Sequence, residues 1–313
     1  MDINFINTEN INSGIKDNAK EFISQAENIY ITRLREAAEK IYSDRFSRPL
    51  VLISGPSGSG KTTSALRIAR MLAEKKLTVH TISMDNYFLP NDVGNLPVDE
   101  NGNVDLESPY RLDIPLFSEH LKKLFRCEPV DVPVFDFATQ SRSDYIPIRR
   151  KENEIIIIEG IHALNLEVTG DTDDFTTCIY VSVRTRLRAS DGTVMHPRNI
   201  RLMRRLNRDR LFRNRKLEDV FGMYESVTKG EEKYIMPHKH RADFNIDSFI
   251  PYEASVYAKM LLPDLIKNSS SVEHVEEFPI MLKILSELVP LSEELVPSDS
   301  LVREFIGGSS LQY

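Results

Sequence analysis

Apolar side chains recur at three- and four-residue steps between residues 17 and 45, with charged side chains between them. This spacing predicts an amphipathic helix that packs one face against the rest of the chain. Further along, short apolar blocks typical of buried strands alternate with amphipathic stretches typical of helices. The predicted strands are PLVLIS, TVHTIS, EIIIIEG and TTCIYVSV, and the predicted helices are KTTSALRIARMLAEKK and IPLFSEHLKKLF. The alternation predicts an α/β fold, a doubly wound parallel sheet with helices on both faces.

Two segments lack this periodicity. Residues 91–111 are rich in Gly, Pro, Asn and Asp and predict a long surface loop. Residues 129–143, PVDVPVFDFATQSRS, contain two prolines, which predicts an edge strand or a small ribbon. After residue 247 the chain offers three further helices, EASVYAKMLLPDLIK, FPIMLKILSELV and DSLVREFIGG. We expect these helices to be packing appendages without chemistry of their own.

Composition narrows the class of protein. The chain has 313 residues, of which 41% are hydrophobic, and its longest apolar run is too short for a membrane span. The N-terminus lacks the basic and apolar blocks of a secretory signal, and Cys127 and Cys178 lie far apart without metal-binding spacing. We therefore expect a cytoplasmic protein with no membrane partner. The net charge of -7 argues against a protein that mainly coats nucleic acid.

The stretch LISGPSGSGKTTSAL lies between a predicted strand and a predicted helix and matches the pattern G-x-x-x-x-G-K-[ST]. In such a loop, glycines let backbone N–H groups approach phosphate oxygens, and the helix N-terminus adds positive potential. Lys61 would neutralise the outer phosphates, and the Thr62 hydroxyl would bind Mg²⁺. The predicted nucleotide-binding residues are Gly55, Ser57, Gly58, Ser59, Gly60, Lys61, Thr62 and Thr63. The alternative is a Gly-rich turn.

Two carboxylates follow predicted strands, at the sheet edge where ligands bind in open α/β folds. Glu159 ends the most apolar strand, where an acid could help to hold Mg²⁺. Asp85 follows the strand after the loop helix, where it could accept the proton of an attacking hydroxyl. Each carboxylate could instead cap its own turn. Tyr87 and Phe88 could line an acceptor pocket or belong to the core.

Arginines crowd the segment between residues 184 and 216, and few acidic residues within it balance them. We predict that residues 198–218 form a lid whose cations close over the phosphates during transfer. A solvated charged face is one alternative, and a nucleic-acid site is another. Aromatic side chains are scarce in the segment, which disfavours nucleic acid.

Taken together, these motifs resemble the uridine kinase and phosphoribulokinase family of P-loop kinases. The resemblance runs from about Pro49 to Asp247 and rests on ordered signatures: GPSGSGKTT, SMDNYF, FDFATQSR, IIIIEGIHALN and RRLNRDRLFRNR, followed by GEEKYI and RADFNI. It implies a P-loop fold with ATP and Mg²⁺ as cofactors.

The resemblance also implies roles for individual residues. Asp85 would be the catalytic base, acting with Lys61 and Arg208, and Glu159 would assist Mg²⁺. Asp105 would bind ribose hydroxyls, and Arg142 would lie in the acceptor region with Tyr87. Arg208, Arg213 and Arg215 would reach the phosphates.

The sequence departs from the family pattern in three places. It reads FDFATQ where uridine kinases usually have Tyr-Asp-Phe and then Thr-His, VDLESPYRLD where they have FDHP, and it carries the extra loop ASDGTVMHPRNI. We expect Phe135, Phe137 and Gln140 to contact the base of the acceptor. Gln can still donate and accept hydrogen bonds there.

The sequence therefore predicts ATP-dependent phosphorylation of a small molecule, with the 5′-hydroxyl of uridine or cytidine as the expected acceptor. The alternatives are another hydroxyl substrate (pantothenate, a sugar phosphate or another nucleoside) and a nucleotide-dependent regulatory or RNA-binding protein. We predict an N-terminal helical extension at 1–47, a kinase domain at 48–270 and a C-terminal helical appendage at 271–313. Helices in both extensions offer surfaces for a homo-oligomer.

Overall fold

The computed structural model describes residues 4–90, 96–98, 102 and 104–312. The strands are β1 Phe5–Asn7, β2 Leu50–Ser54, β3 Val79–Ser83, β4 Pro129–Asp136, β5 Ser141–Arg149, β6 Ile155–Glu159, β7 Thr176–Ser182, β8 Arg186–Arg188, β9 Val194–Met195 and β10 Phe244–Asp247. The α-helices are α1 Thr8–Asp44, α2 Lys61–Glu74, α3 Ile114–Phe125, α4 Leu166–Thr169, α5 Pro197–Arg213, α6 Leu217–Gly230, α7 Glu253–Lys267, α8 Ser269–Val272, α9 Glu277–Glu287 and α10 Arg303–Ile306. No helix among these residues is long and apolar enough to cross a membrane.

A five-stranded parallel sheet in the order β10-β7-β2-β6-β3 forms the centre of the molecule. Its three inner strands, β7, β2 and β6, are almost fully buried because helices cover both faces of the sheet. The register places Glu159 beside Ile53 on one side and Ser83 on the other. The carboxyl ends of β2, β6 and β3 therefore meet at one edge, which confirms the predicted α/β P-loop architecture.

One hydrophobic core joins the N-terminal helix, one face of the sheet and the C-terminal helices. The other face carries a second core that includes side chains of α3 and the β4–β5 ribbon. Helix α1 packs on α2, where the Tyr30 and Ser64 hydroxyls lie 2.7 Å apart. The helix predicted for residues 17–45 thus exists but begins earlier, at Thr8, and is kinked at Asn18.

Two small sheets flank the main one. β4 and β5 pair antiparallel, as the two prolines suggested, and form a ribbon beside the carboxyl edge. β1 pairs in parallel with β8, which forms a short hairpin with β9 in the inserted loop before α5. Part of the loop predicted at 91–111 lies outside the described residues. Its described portion includes a bridge between Val98 and Val104 and a 3-10 turn at Pro109–Arg111.

The last predicted helix, DSLVREFIGG, is only four residues long, Arg303–Ile306. The residues before it form turns whose backbone hydrogen bonds are local. Arg303 donates to the carbonyls of Glu293 and Val296, at 2.9 Å and 2.6 Å, and so holds the segment as a compact turn. A pattern of apolar positions does not reveal such a turn, because side-chain bonds to the backbone replace helical ones here.

Candidate active site

The loop between β2 and α2 has the conformation that its glycines allow. Gly58 and Gly60 have φ values of +73° and +82°, a region that side chains with a Cβ rarely adopt. A Cβ on Gly55 would lie 2.0 Å from the Val181 carbonyl oxygen. Helix α2 starts at Lys61, and its N-cap residue, Gly60, has no side chain that could cap it. The loop and helix end thus have the backbone geometry that a phosphate-binding loop requires, and phosphate binding there remains a prediction.

Two arginines of α5 support this loop from behind. Nη1 of Arg201 donates to the Ser57 carbonyl at 3.1 Å, and Nη1 of Arg204 donates to the Gly58 carbonyl at 3.0 Å. Arg204 is fully buried and forms a two-pronged ion pair with Glu253. Sequence reasoning treated the arginines of this segment as a lid. In the structure, these two arginines are buried and hold the loop in place from the core side. Their acidic partners lie far away in the sequence, so the sequence alone did not reveal this role.

Asp85 and Glu159 lie at the carboxyl ends of neighbouring strands, with Lys61 close enough to act on both. Loss of water in the cleft raises the pKa of Asp85, and the positive charges of Lys61 and Arg208 oppose that rise. Burial likewise raises the pKa of Glu159 to about 7, against the effect of Lys61. Asp85 is exposed. The structure thus brings together the predicted base, the predicted metal carboxylate and the loop lysine.

Asp105 and Glu107 approach this site from the segment between β3 and α3. Asp105 accepts hydrogen bonds from the Tyr234 hydroxyl at 2.8 Å and from the Glu107 backbone at 3.1 Å. Burial raises the pKa of Glu107 to about 7, and Lys61 lowers it in part. Among the described residues, Oε2 of Glu107 is buried without a hydrogen-bond partner. Sequence reasoning missed Glu107, although its place two residues after Asp105 was a usable signal.

Phe88, Phe135 and Phe137 form an aromatic cluster at the end of the ribbon. Their ring centroids lie 5.2 to 6.1 Å apart in edge-to-face arrangements. Phe135 is buried beneath the other two, whereas Phe137 is 56% exposed. The cluster therefore presents an apolar surface beside the cleft, mainly through Phe137.

Three other predicted acceptor residues are already engaged with protein groups. The Tyr87 side chain lies in the core, where its hydroxyl is 2.9 Å from Nδ1 of His120. Nη2 of Arg142 donates to Asp113 at 3.0 Å and to the Tyr87 carbonyl at 3.3 Å. Nε2 of Gln140 donates to the carbonyl of Phe137 within its own turn at 2.8 Å. Of these side chains, Tyr87 is the one whose burial removes it from the cleft surface.

The arginines predicted to reach the phosphates converge on Asp209, a fully buried carboxylate near the end of α5. Arg213 and Arg215 contact its two oxygens at 3.0 Å and 3.2 Å, and Nε of Arg208 lies 3.6 Å away. Arg208 and Arg213 also line a cleft of 470 Å³ beside Thr62. Asp209 thus holds these cations together at the mouth of the phosphate cradle.

The C-terminal segment forms the opposite wall of this cleft, through Glu304 and residues 307–309 among others. A Cβ on Gly60 would lie 2.4 Å from the Leu301 side chain, so the segment contacts the loop itself. Oε2 of Glu304 accepts a hydrogen bond from the Thr63 hydroxyl at 2.6 Å. This corrects the expectation that the C-terminal helices only provide packing. No sequence signal marks the contact, since the partners are 241 positions apart.

Comparisons with known proteins show which family this chain belongs to. Residues 50–253 match the model of the Phosphoribulokinase / Uridine kinase family. A protein named uridine kinase from Staphylococcus aureus is 33% identical over 198 residues, which cover 63% of this chain and 86% of that protein. Among solved structures, a possible uridine kinase from Bacillus stearothermophilus aligns with 20% identity and a TM-score of 0.44, covering 68% of this chain and 99% of that one.

The match to the family model spans the loop, both strand-end carboxylates and the arginines of α5. On this match and on the 33% identity, the chain belongs to the phosphoribulokinase and uridine kinase family and is a phosphotransferase with an alcohol acceptor.

Proposed function

We propose that the protein transfers the terminal phosphoryl group of ATP to the 5′-hydroxyl of a pyrimidine ribonucleoside such as uridine or cytidine. The observation that carries this proposal is the position of Asp85, which is exposed while the positive charges of Lys61 and Arg208 act on its carboxylate. A switch protein that only hydrolyses or senses nucleotide has no need for a base at that position. The named relatives from Staphylococcus aureus support a nucleoside acceptor.

In the proposed mechanism, Asp85 accepts the proton of the attacking hydroxyl while the backbone of the loop holds the phosphates. Lys61 and Arg208 stabilise the charge that spreads over the transferred group. The nucleoside half of the donor would lie in the 470 Å³ cleft beside Thr62. The cleft has room for a base and a sugar, as ligand pockets of several hundred Å³ do.

Magnesium fits the donors at the carboxyl edge. Within the described residues no group of three or more His, Cys, Asp or Glu side chains could hold a metal ion. Mg²⁺ is usually bound through one or two side chains, with phosphate oxygens and water as the remaining ligands. Thr62 and Glu159 would supply the protein ligands, and the ion would neutralise charge on the phosphates.

The acceptor would lie between the ribbon and the segment that carries Asp105. Asp105 would receive hydrogen bonds from the ribose hydroxyls, beside the buried carboxylate of Glu107. Phe137 would offer an aromatic face to the base. The Gln140 amide, bound to its own turn at 2.8 Å, must rotate before it can read a base. That contact favours a second candidate, a kinase of another small hydroxyl substrate.

The substitution Asp85→Asn tests the reaction type. We expect kcat to fall by a factor of roughly 10² to 10⁴, the usual contribution of a general base. The dissociation constant of a non-hydrolysable ATP analogue should change little, because the phosphates contact the loop and not this side chain. Asp131→Asn, on the exposed side of β4, is the matched control. Near-native kcat in the Asp85 variant would disprove the assignment.

An acceptor screen tests the substrate class. The enzyme should phosphorylate uridine or cytidine faster than pantothenate, sugar phosphates or purine nucleosides, measured with labelled ATP. A preference for a non-nucleoside alcohol would favour the second candidate. An ATPase rate that no small hydroxyl compound changes, together with salt-sensitive RNA binding, would instead support a regulatory protein.

A further inference from the structure

A second cleft, of 500 Å³, adjoins the predicted phosphate-binding loop at Pro56. The carboxyl ends of β7 and β10, the start of α5 and the N-terminal extension enclose it. It contains none of Asp85, Glu159 or Lys61. The six cationic residues that line it are Arg33, Arg184, Arg186, Arg198, Arg201 and Lys239.

The two acidic residues of this cleft are already bound to other groups. Glu231 pairs through both oxygens with Arg201, with one contact at 2.7 Å. The oxygens of Asp247 accept from the Thr185 hydroxyl at 2.7 Å and from the Arg184 backbone at 2.9 Å. The lining holds four more positive than negative side chains, and one of these cations, Arg198, pairs at 3.5 Å with Glu232 outside the lining. The cleft therefore carries an excess of positive charge.

Arg186 and Lys239 are cationic side chains of this cleft that remain available to contact an anion. Among the described residues, neither side chain has a carboxylate partner in an ion pair or a hydrogen bond. The ammonium of Lys239 lies 5.3 Å from the ring centroid of Tyr180, and burial, with Arg184 nearby, lowers its pKa. Burial and the surrounding arginines, first Arg198, lower the pKa of His196 to about 4. The negative charge of an anion in the cleft would oppose both shifts, because it favours the protonated forms of Lys239 and His196.

The shape of the cleft argues for a small ligand. Its volume suits a molecule of nucleotide size, and it is recessed between strands. The protein as a whole carries a net charge of -7, so an extended polyanion such as RNA would meet repulsion outside the cleft.

Part of this cleft comes from chain that the family match does not cover. Asn4 and Arg33 belong to the N-terminal extension, and β1 brings it there by pairing with β8. The Arg33 guanidinium donates to the Asp247 carbonyl at 2.6 Å, which fixes its charge at the cleft wall. Pro56 of the loop also lines the cleft, and Arg201, another lining residue, donates to the Ser57 carbonyl of the loop at 3.1 Å.

We propose that this cleft is a second ligand site, one that binds a small phosphorylated molecule distinct from the two substrates. Phosphate groups would contact Arg186 and Lys239, which combine charge with available hydrogen-bond donors. The proposal goes beyond the proposed function and holds whichever acceptor the enzyme uses.

The test uses inorganic pyrophosphate as the probe and the full chain carrying Lys61→Ala, which weakens competing binding at the loop. Calorimetry without Mg²⁺ compares this protein with one that also carries Arg186→Ala and Lys239→Ala. We expect the two additional substitutions to weaken binding roughly tenfold or more, since each removes a hydrogen bond from a charged donor. Arg188→Ala is the matched control, because Arg188 is on the same strand but stacks on Phe5 outside the cleft.

Equal affinity in the parent and the double-substituted protein would overturn the proposal. So would an equal loss in the Arg188→Ala control, which would indicate a general effect of surface charge. A crystal soaked with tungstate, a dense phosphate mimic, should show the anion beside Arg186, and density confined to the loop would refute the site. If the two substitutions abolish binding of a short RNA but leave pyrophosphate binding unchanged, the surface recognises nucleic acid instead.

Discussion

Glu159→Gln should make the protein more stable in neutral and alkaline solution while it impairs catalysis. Burial raises the pKa of the Glu159 carboxyl from 4.5 to about 7 in the folded protein. The folded state therefore binds a proton here more tightly than the unfolded state does. Ionisation of this carboxyl therefore destabilises the folded state. The destabilisation is absent well below pH 4.5, grows between pH 4.5 and about 7, and is complete above about pH 7.

The size of the effect follows from the shift. A change of about 2.5 pKa units corresponds to roughly 3 kcal/mol at pH 8 and to less than about 1 kcal/mol at pH 5. Gln keeps the shape and removes the charge, so Glu159→Gln should raise the free energy of unfolding by up to about 3 kcal/mol at pH 8, and by much less at pH 5.

Urea denaturation at both pH values, without nucleotide or Mg²⁺, measures this difference. Glu36→Gln, on the exposed face of α1, is the control and should change the free energy of unfolding little at either pH. Equal stabilisation by Glu159→Gln at pH 5 and pH 8 would refute the reasoning, because an effect of charge must follow ionisation. The same variant should require more Mg²⁺ for half-maximal activity, since it loses an anionic ligand.

Further predictions concern the loop, the core and the base. Glu304→Gln should tighten binding of a non-hydrolysable ATP analogue several-fold, as measured by calorimetry. The reason is that the Glu304 carboxylate, bound to Thr63, occupies a helix N-terminus that attracts phosphate. Weaker binding would show that Glu304 assists the nucleotide. Arg204→Met should lower the free energy of unfolding, measured in urea, by about 3 to 5 kcal/mol, since it leaves Glu253 buried without its ion-pair partner. Adding Glu253→Leu should restore much of the lost stability. No recovery would argue that the Arg204–Glu253 ion pair is not the cause. Because its raised pKa protonates Asp85 at a higher pH than usual, kcat/KM should rise with pH until the carboxyl ionises; a profile unchanged in Asp85→Asn would contradict that assignment.

The sequence by itself determined the architecture around the donor. Apolar blocks of strand length alternate with amphipathic stretches along the chain. A parallel sheet with helices on both faces buries the apolar side chains of such an alternating sequence. The glycines of the loop mark positions where a Cβ is not tolerated, so the phosphate cradle was readable before any coordinates. Asp85 and Glu159 were placed correctly at the carboxyl edge because they directly follow strands that the pattern predicted.

The tertiary structure alone decided which charged and aromatic side chains are free to act. The arginines before residue 216 looked unbalanced in the sequence, yet Arg204 pairs with Glu253 and several others meet at Asp209. Tyr87 lies two residues after the predicted base, but its ring is buried in the core, because a 3-10 turn sets the direction of each side chain. The contact of Glu304 with Thr63 and the cationic cleft around Arg186 join segments far apart in the chain. Local periodicity carries no information about such pairings, since packing of whole elements brings them together.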